Sequence, residues 1–389
     1  MKTSFLRHVD NSGGEWDIEV FGHRNEEIWS GIIFNESGTK YPIIDGIPRL
    51  LRGQWLARCL AQHPEFTNQH AGRLSDFQLD SPATNVSFGE ALKLKTVENF
   101  SYEWKRFNKM LAIYETNHRL YFQPRGKEFF TGKLGLDAGC GTGRHVYYAA
   151  KYGAEMVAID LSDAVEVAYQ NTRSLGNVHV AQADIYDLPF RQDYFDFIES
   201  IGVIHILPDP KDAFDGLVKL LRPGGEIFIY VYSSNLIIPK NRQEAVKLFV
   251  KRAYERVGRM LPPPALYAYC FMAAAIGRMC NVPMRFLQRF GVTRRLGTQL
   301  IAFDSYEIYP FYVLHADLFD WIGTPLNRYY TLDEVRSFYI GGPFDQVEIQ
   351  EAEPQWRAFA RKATDSGPKF LFDSGPIVDA IPGGIRPPG

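Results

Sequence analysis

Three glycines at alternate positions follow an acidic residue near the middle of the chain. The segment Leu134–His145 reads LGLDAGCGTGRH, with Asp137 ahead of Gly139, Gly141 and Gly143. Because glycine lacks a Cβ, such a loop can adopt positive φ angles and let its backbone approach a ligand closely. The N–H groups at the start of the following helix are free to bind that ligand. The pattern predicts a cofactor-binding loop between a strand and a helix.

The spacing of these glycines discriminates between two classes of cofactor. A dinucleotide-binding loop has its third glycine three residues after the second, where the helix packs closely on the strand. Here that position is Arg144, which is too large for such a contact. A Gly-x-Gly-x-Gly run after an acid instead resembles motif I of the class I S-adenosyl-L-methionine (SAM) dependent methyltransferases.

The next two predicted strands also end in acidic residues, as they do in this family. Glu155–Asp160 reads EMVAID, and Val178–Asp184 reads VHVAQAD. A carboxylate at the tip of the first can accept hydrogen bonds from both ribose hydroxyls. In the family, an acid at the tip of the second binds the adenine amino group. The resemblance implies that SAM is bound by one set of residues: Asp137, Gly139, Cys140, Gly141, Gly143, Asp160, Leu161, Asp184 and Ile185.

The order of the remaining strands predicts the fold class. Phe195–Gly202 is a candidate fourth strand, and Leu221–Tyr232 contains a Pro-Gly-Gly turn before a fifth. Phe344–Gln350 and Arg357–Lys362 fit strands six and seven, the last of them antiparallel. The chain is thus similar to α/β, Rossmann-like methyltransferases with a seven-stranded sheet in the order 3-2-1-4-5-7-6. We expect a small N-terminal β unit and a helical insertion between strands five and six in addition.

Length predicts two or three domains, and the motifs and the family resemblance divide the chain into five segments. The 389 residues, 46% of them hydrophobic, can form a substantial core. A net charge of −2 gives no overall attraction for nucleic acid, so none is expected as a partner. The segments are a β unit at 1–53, a helical linker and cofactor lid at 54–126, the methyltransferase domain at 127–232 with 331–364, a helical insertion and substrate lid at 233–330, and a tail at 365–389.

The N-terminal unit resembles a zinc-binding module without its ligands. Tyr41–Leu51 reads YPIIDGIPRLL, similar to the end of the Trm112-like zinc ribbon, whose metal-binding members carry two cysteine pairs. No cysteine precedes Cys59, and His8 and His23 alone cannot supply four ligands. We therefore expect a metal-free remnant and no metal site. The lack of a C-x-x-C pair and of an apolar leader pattern is typical of a protein of the reducing cytoplasm.

A helical segment ahead of the glycine loop has two interpretations. In Phe100–Met110, FSYEWKRFNKM, apolar residues recur at helical spacing. The segment is either a helix that packs on the sheet or a lid over the cofactor, the role that N-terminal helices have in the family. In the second case Tyr102, Glu103 and Trp104 lie nearest the cofactor.

One histidine lies where an acceptor is expected to bind. His205 follows the fourth strand, in SIGVIHILPDP, and ligands of this fold bind outside the carboxyl ends of the strands. A neutral imidazole there can act as a general base when the acceptor is a hydroxyl. The alternative is that His205 only packs or bonds to the backbone. Tyr232 and Asp209 border the same crevice and are weaker candidates.

The helical insertion is strongly basic. Twelve Lys and Arg residues lie between Leu236 and Leu300 against two Glu, a net charge of +10. Helical spacing places part of this charge near one face: Lys247, Lys251, Arg252, Arg256 and Arg259. Beside it, Ala265–Cys280 is apolar for about sixteen positions, too few to span a bilayer. The basic face is either solvated over supporting helices, or residues 240–295 meet an anionic acceptor or a membrane surface, as in a peripheral protein.

These features predict a SAM-dependent methyltransferase that acts on a small or carrier-linked metabolite, with oxygen as the expected acceptor atom. The sulfonium already makes the methyl electrophilic, so the protein must align the donor with a nucleophilic acceptor. The pattern is similar to methyltransferases of polysaccharide and natural-product synthesis. Two alternatives stay open: a catalytically silent SAM-binding scaffold, which has no need of the intact acids, and an NAD-dependent oxidoreductase, which Arg144 disfavours.

Overall fold

The computed structural model describes residues 1–75, 77, 88–239, 241–289, 309–352, 355–364 and 372–373. The strands are β1 Trp16–Arg24, β2 Glu27–Asn35, β3 Lys40–Ile44, β4 Ile47–Leu50, β5 Leu134–Ala138, β6 Glu155–Asp160, β7 Val178–Ala183, β8 Phe195–Ile201, β9 Leu221–Tyr232, β10 Phe344–Ala352, β11 Gln355–Lys362 and β12 Phe372–Asp373. The helices are α1 Gly53–Gln62, α2 Pro64–Gln69, α3 Ala71–Leu74, α4 Phe88–Arg106, α5 Ile113–Tyr121, α6 Arg144–Lys151, α7 Ala164–Thr172, α8 Pro210–Leu220, α9 Arg242–Gly258, α10 Pro263–Arg289, α11 Phe311–Gly323 and α12 Leu332–Ser337.

The twelve strands form one sheet in the order β1-β2-β3-β4-β7-β6-β5-β8-β9-β11-β10-β12. Neighbours from β4 to β9 are parallel, and β11 is antiparallel to both β9 and β10. The expected seven-stranded sheet is wrong in its extent. The N-terminal strands continue the sheet beyond β7, and β12, in the expected tail, pairs with β10. The rest of that tail lies outside the described residues.

The N-terminal unit joins the sheet through a short parallel pairing of β4 with β7. Arg49 is opposite Gln182, and Leu50 is opposite Ala183. The guanidinium of Arg49 is buried and donates to the Gln182 side-chain oxygen at 2.9 Å, while Glu166 lies 3.8 Å away. A buried charge is costly unless it is paired. This joint is therefore held by specific polar contacts as well as by backbone hydrogen bonds.

Helices from two distant parts of the chain share a core next to the glycine loop. We call α4, α9, α10 and α11 the helical cap. The ring of Phe107, just after α4, lies 5.6 Å from the Tyr267 ring of α10 and 6.2 Å from the Phe319 ring of α11, centroid to centroid. The His315 ring is 4.9 Å from Phe107, and its Nε2 lies 2.9 Å from the Tyr267 carbonyl oxygen. The expected cofactor lid and the expected insertion thus pack together.

The chain returns from the helical cap to the sheet through a capped helix. Thr331 precedes α12, and its Oγ1 accepts from the Glu334 amide at 3.3 Å. The Glu334 carboxylate in turn accepts from the Thr331 amide at 2.7 Å. This reciprocal capping box fixes where α12 begins, and β10 and β11 follow as an antiparallel pair.

Candidate active site

The loop after β5 has the backbone geometry that its glycines predict. Gly139, Gly141 and Gly143 have positive φ angles of 92°, 52° and 77°. A Cβ on Gly139 would lie 2.3 Å from a methyl carbon of Val203, so a larger residue cannot fit there without a shift. The Gly139 amide donates to the Ile159 carbonyl at 2.8 Å. The loop is therefore fixed to the end of β6.

Asp160, at the end of β6, holds the same loop from its side chain. Its Oδ2 accepts from the Gly141 amide at 3.0 Å, and its Oδ1 accepts from the Ser162 amide at 2.8 Å and the Ser162 hydroxyl at 2.6 Å. Burial raises the pKa of this carboxyl, and these three bonds oppose the rise. A carboxylate offers about four acceptor positions, and three of them are occupied by these bonds. One ribose hydroxyl can therefore bind to Asp160 directly, but a second requires that the Ser162 hydroxyl turn away.

Asp137 and Glu199 form a buried acid pair beneath the loop. They are paired across β5 and β8, and their exposed fractions are 2% and 0%. Burial, and then the nearby Asp160, raise the pKa of Asp137 to about 8. Burial, and then Asp137, raise the pKa of Glu199 well above its usual range. Glu199 was not expected at this site, although an acid inside the apolar run FDFIESI is a sequence signal that could have indicated it.

Asp184, which directly follows β7, is engaged by residues of the protein. Its Oδ2 forms an ion pair with the Lys93 ammonium of α4, and its Oδ1 accepts from the Tyr186 amide at 3.2 Å. The Lys93 ammonium also lies 4.7 Å from the centroid of the Tyr186 ring. Since a carboxylate offers about four acceptor positions, an adenine amino group could bind Asp184 together with these two partners.

Three further residues of the expected cofactor set direct their side chains toward the protein. Cys140 is buried in the sheet core, and burial raises the pKa of its thiol well above the usual range. Leu161 packs on the core around α1, and its carbonyl accepts from the Gln182 side chain at 3.0 Å. Ile185 packs on the other sheet core. The buried Cys140 would contact a cofactor through its backbone, whereas Leu161 and Ile185 are only partly buried and keep part of their side chains accessible.

Of the two aromatic residues expected near the cofactor, Trp104 lies at the glycine loop. A Cβ built on Gly141 would be 3.4 Å from the Trp104 indole nitrogen, and the Arg144 guanidinium lies 5.6 Å from the Trp104 ring centroid. Tyr102 instead stacks on Phe319 of α11 at 5.9 Å between centroids. Trp104 is thus placed to cover the loop, whereas the partly buried Tyr102 packs against the core of the helical cap.

An acidic group lies between α4 and α11, beside the start of α6. Glu103 is 1% exposed, and its Oε1 has no hydrogen-bond partner among the described residues. Burial, then Asp320, raise the pKa of Glu103 well above its usual range, while Arg144 opposes the rise. Burial, then Asp317, raise the pKa of Asp320 to about 7. Glu103 was expected near the cofactor, but Asp320 was not singled out from the sequence, because only the packing of the insertion on α4 brings it close to Glu103.

His205 lies in a short 3-10 helix after β8 and is 2% exposed. Its ring centroid is 4.2 Å from that of Tyr232, so two of the residues expected at the acceptor crevice are neighbours. Burial lowers the pKa of His205 to about 3, and Nδ1 has no hydrogen-bond partner among the described residues. Asp209 instead caps α8 by accepting from the Asp212 amide at 3.2 Å, which is a structural role.

Three potential metal ligands meet at the opposite end of the strands from the glycine loop. His8 Nε2 and His179 Nε2 lie 3.3 Å and 3.2 Å from the same oxygen, Oε1 of Glu155. All three ligand atoms are within 4.8 Å of one another. Arg7 also forms an ion pair with this carboxylate, so a positive charge already occupies part of the site. The sequence predicted no metal site and did not indicate that His8, Glu155 and His179 lie together.

The region that contains the glycine loop is similar to a known family of proteins. Residues 136–229 match the model of a methyltransferase domain family. The chain is 30% identical over 139 residues to a demethylmenaquinone methyltransferase of Clavibacter sepedonicus, covering 35% of this chain and 56% of that protein. It is 25% identical over 190 residues to a ubiquinone biosynthesis O-methyltransferase of Acinetobacter baumannii, covering 46% and 73%. It spans 30% and 56% of the first two curated relatives that it matches.

A solved structure shows a more limited likeness. A SAM-dependent methyltransferase from Aquifex aeolicus aligns over 34% of this chain and 73% of its own, at 22% identity and a TM-score of 0.31. At this TM-score the likeness supports no further inference.

The chemistry of the site fits the cofactor that the domain match implies. SAM carries a sulfonium and an ammonium, and the buried pair of Asp137 and Glu199 leaves carboxyl oxygens without partners among the described residues. A cation near such a pair is favourable, because it compensates the buried acids. The positive φ angles of the loop allow a close approach of the backbone. Residues 136–229 thus match a methyltransferase domain, and S-adenosyl-L-methionine is the cofactor of this site.

Proposed function

We propose that this protein transfers the methyl group of SAM to an oxygen atom of a small or carrier-linked metabolite. The observation that carries the proposal is the glycine loop, fixed to β6 through Gly139 and Asp160 directly above the acid pair. The curated relatives named for demethylmenaquinone and ubiquinone biosynthesis support a small-molecule acceptor. The resemblance to enzymes of polysaccharide and natural-product synthesis supports a carrier-linked acceptor as the other possibility.

The chain's own residues divide into a donor side and an acceptor side. When bound, SAM supplies an electrophilic methyl group on its sulfonium. On the donor side, the loop amides, Asp160 and the Asp137 carboxyl would hold the cofactor, while Trp104 excludes water from the loop. On the acceptor side, Tyr232 and His205 would orient a hydroxyl toward that methyl. Alignment of this kind supplies most of the rate enhancement when the donor is already activated.

His205 is the proposed general base for a hydroxyl acceptor. Its low pKa keeps the imidazole neutral, with a lone pair available on one ring nitrogen. A base with so low a pKa is weak in the free protein, because proton transfer is most efficient when the pKa lies near the working pH. After burial, Asp320 helps to raise the pKa of the neighbouring Tyr232 hydroxyl well above its usual range. This links the acidic group to the proposed acceptor side through Tyr232.

The outer segments have supporting roles in this proposal. The N-terminal unit is a metal-free, Trm112-like remnant that stabilises the sheet edge at β7. The insertion at 233–330 forms the acceptor side of the cap, and its basic residues within 240–295 meet an anionic acceptor or the surface of a membrane. The free thiols of Cys59, Cys140 and Cys270 are consistent with a reducing cytoplasm.

Calorimetry with SAM and with NAD tests the cofactor. We expect the wild type to bind SAM and not NAD. Gly139→Val should abolish SAM binding, because its Cβ would collide with Val203. Gly132→Ala is the matched control, since Gly132 also has a positive φ of 70° but no heavy atom within 4 Å of an added Cβ. Binding of NAD alone would contradict the proposal.

Turnover separates an enzyme from a silent SAM-binding scaffold. The assay follows release of S-adenosylhomocysteine with a panel of soluble phenols, catechols and sugars. SAM binding with no methyl transfer to any acceptor, including extracted lipids and lipid-linked sugars, would favour the scaffold. Methyl transfer that is lost in the Gly139→Val variant would support the enzyme.

A further inference from the structure

We propose that α9 and α10 dock this protein on an anionic lipid surface, with their outward apolar side chains inserted at the interface. The inference depends on the proposed function only for the nature of the acceptor, and docking itself needs no catalysis. Among the described residues, no helix has the length and apolar character required to cross a membrane. The two helices would therefore lie on the surface.

The outward face of α10 is apolar along its described length. Its exposed positions recur at helical spacing: Ala265, Ala268, Phe271, Met272, Ile276 and Met279. Met272, Ile276 and Met279 are 56%, 54% and 72% exposed. On the opposite face, Leu266 and Cys270 are buried in the core of the helical cap. A helix on a water-facing surface normally carries polar residues on its outer side. The apolar residues on this face therefore indicate that it is covered by another surface.

The exposed face of α9 adds apolar side chains and arginines together. Phe249, Val250 and Val257 are exposed, as is Met260 just after the helix. Arg252 and Arg256 are exposed on the same helix. Interfacial helices combine such apolar residues with basic ones, which bind anionic headgroups while the apolar side chains insert below them.

The only two acids between 236 and 279 do not cancel this charge at the surface. Glu255 is 9% exposed and lies 3.8 Å from the Arg259 guanidinium, and Glu244 is at the first turn of α9. Lys251 points the other way, with its ammonium 3.7 Å from the Trp321 ring centroid, and burial lowers its pKa to about 8. The predicted single basic face is thus wrong for Lys251. Lys240 and the side chain of Lys247 lie outside what the structure describes.

The two helices are held as one unit. The Tyr254 ring of α9 stacks on the Tyr269 ring of α10 at 4.4 Å, and the Tyr269 hydroxyl donates to the Tyr254 carbonyl at 3.2 Å. Exposed apolar side chains on both helices therefore keep a fixed relation to each other. A second copy of this chain is a less favourable occupant, because it would bring Arg252 and Arg256 toward identical arginines. An anionic bilayer can bind the arginines through its headgroups and bury the exposed apolar side chains below them.

Docking through these helices would place the cap at the lipid surface. α10 packs on α11 and α4, and α4 carries the Trp104 that lies at the glycine loop. A lipid-linked or lipophilic acceptor could then pass from the surface to the crevice beside Tyr232 without crossing bulk water. If this protein docks in this way, we expect its acceptor to be one that resides at a membrane.

Vesicle sedimentation of the full chain tests the proposal. The probes are phosphatidylcholine vesicles with and without phosphatidylglycerol. We expect the wild type to sediment with the anionic vesicles at low salt, at least about tenfold more than with the neutral ones, and less at high salt. Met272→Ser with Ile276→Ser, and separately Arg252→Gln with Arg256→Gln, should each reduce binding by about tenfold or more.

Matched controls remove the same number of apolar or basic groups elsewhere. Val20→Ser with Ile340→Ser changes two exposed apolar residues, and Arg119→Gln with Lys219→Gln changes two exposed basic ones. These variants should bind vesicles like the wild type. SAM calorimetry on every variant shows that the fold is intact and separates a failure of docking from a failure of the proposed cofactor site.

Three results would overturn the proposal. The first is a wild type that stays in solution with anionic vesicles at low salt. The second is a wild-type dimer in sedimentation equilibrium that Met272→Ser with Ile276→Ser dissociates, since the apolar face would then be covered by a second copy of this chain. The third is vesicle binding that neither pair of substitutions weakens.

Discussion

Asp137 and Glu199 lie opposite each other on the neighbouring parallel strands β5 and β8. Side chains at paired positions of adjacent strands project from the same face of a sheet, and both are buried. Burial and the surrounding carboxyls raise the pKa of each, that of Asp137 to about 8. At neutral pH we infer that the pair retains a proton, because two adjacent buried carboxylates are strongly unfavourable. A bound cation would favour release of that proton.

The stability of the cofactor-free protein should therefore fall as the pH rises. Asp137 ionises in the unfolded chain near its ordinary pKa of 3.8, but in the folded protein it keeps its proton up to about pH 8. Between these values the folded state binds more protons, so the free energy of unfolding decreases with pH. Glu199→Gln removes one of the two acids and should make the protein about 1–3 kcal/mol more stable than the wild type near pH 8. Urea unfolding across the pH range measures this difference.

The difference should shrink toward acid pH, where both acids of the wild type are protonated in either state. Asp333→Asn is the control, since the Asp333 side chain is 89% exposed. A Glu199→Gln effect of equal size at every pH would instead point to altered packing and contradict the shared proton.

Of the paired acids Asp137 and Glu199, only the first could be predicted from the sequence. Asp137 was predicted, because it stands beside glycines whose spacing is itself informative. Glu199 was missed, because its importance comes from strand register, and residues 62 positions apart meet only when β8 pairs with β5. Helical amphipathicity likewise could not show that Lys251 turns toward Trp321, since α11 supplies the ring from a distant segment.

Asp160→Ala should weaken SAM binding by roughly 1.5–3 kcal/mol, the range for hydrogen bonds to a charged group. The variant loses the acceptor for ribose hydroxyls and also the bond that holds the Gly141 amide. Ser162→Ala removes the competing hydroxyl, which frees an acceptor position on Asp160, and with it the acceptor of the Ala164 amide at the start of α7. We expect Ser162→Ala to bind SAM as tightly as the wild type or tighter. Calorimetry with folded variants measures both, and full affinity in Asp160→Ala would refute the assignment.

The purified protein should contain well below one equivalent of zinc. The N-terminal unit lacks the cysteine pairs of a zinc ribbon, and the His8, Glu155 and His179 group already has Arg7 paired with its carboxylate. Burial and the neighbouring His179 lower the pKa of His8 to about 4, so this residue is neutral without a metal. Elemental analysis after dialysis against a chelator measures the zinc content. Stoichiometric zinc that His8→Ala and His179→Ala both release would show that this group is a metal site.

The role of His205 can be separated from simple packing by its kinetics. As the general base, His205 should contribute about 10²–10⁴-fold to kcat, so His205→Gln should lower kcat by that factor with an unchanged affinity for SAM. Because burial lowers its pKa to about 3, the imidazole is already neutral above about pH 4, and its titration should not limit kcat/KM between pH 5 and 8. Asp209→Asn, which retains a helix-capping side chain, is the nearby control and should leave kcat unchanged. If His205→Gln instead raises KM and lowers the free energy of unfolding while kcat is preserved, His205 only packs against Tyr232, and the hydroxyl proton must leave by another route.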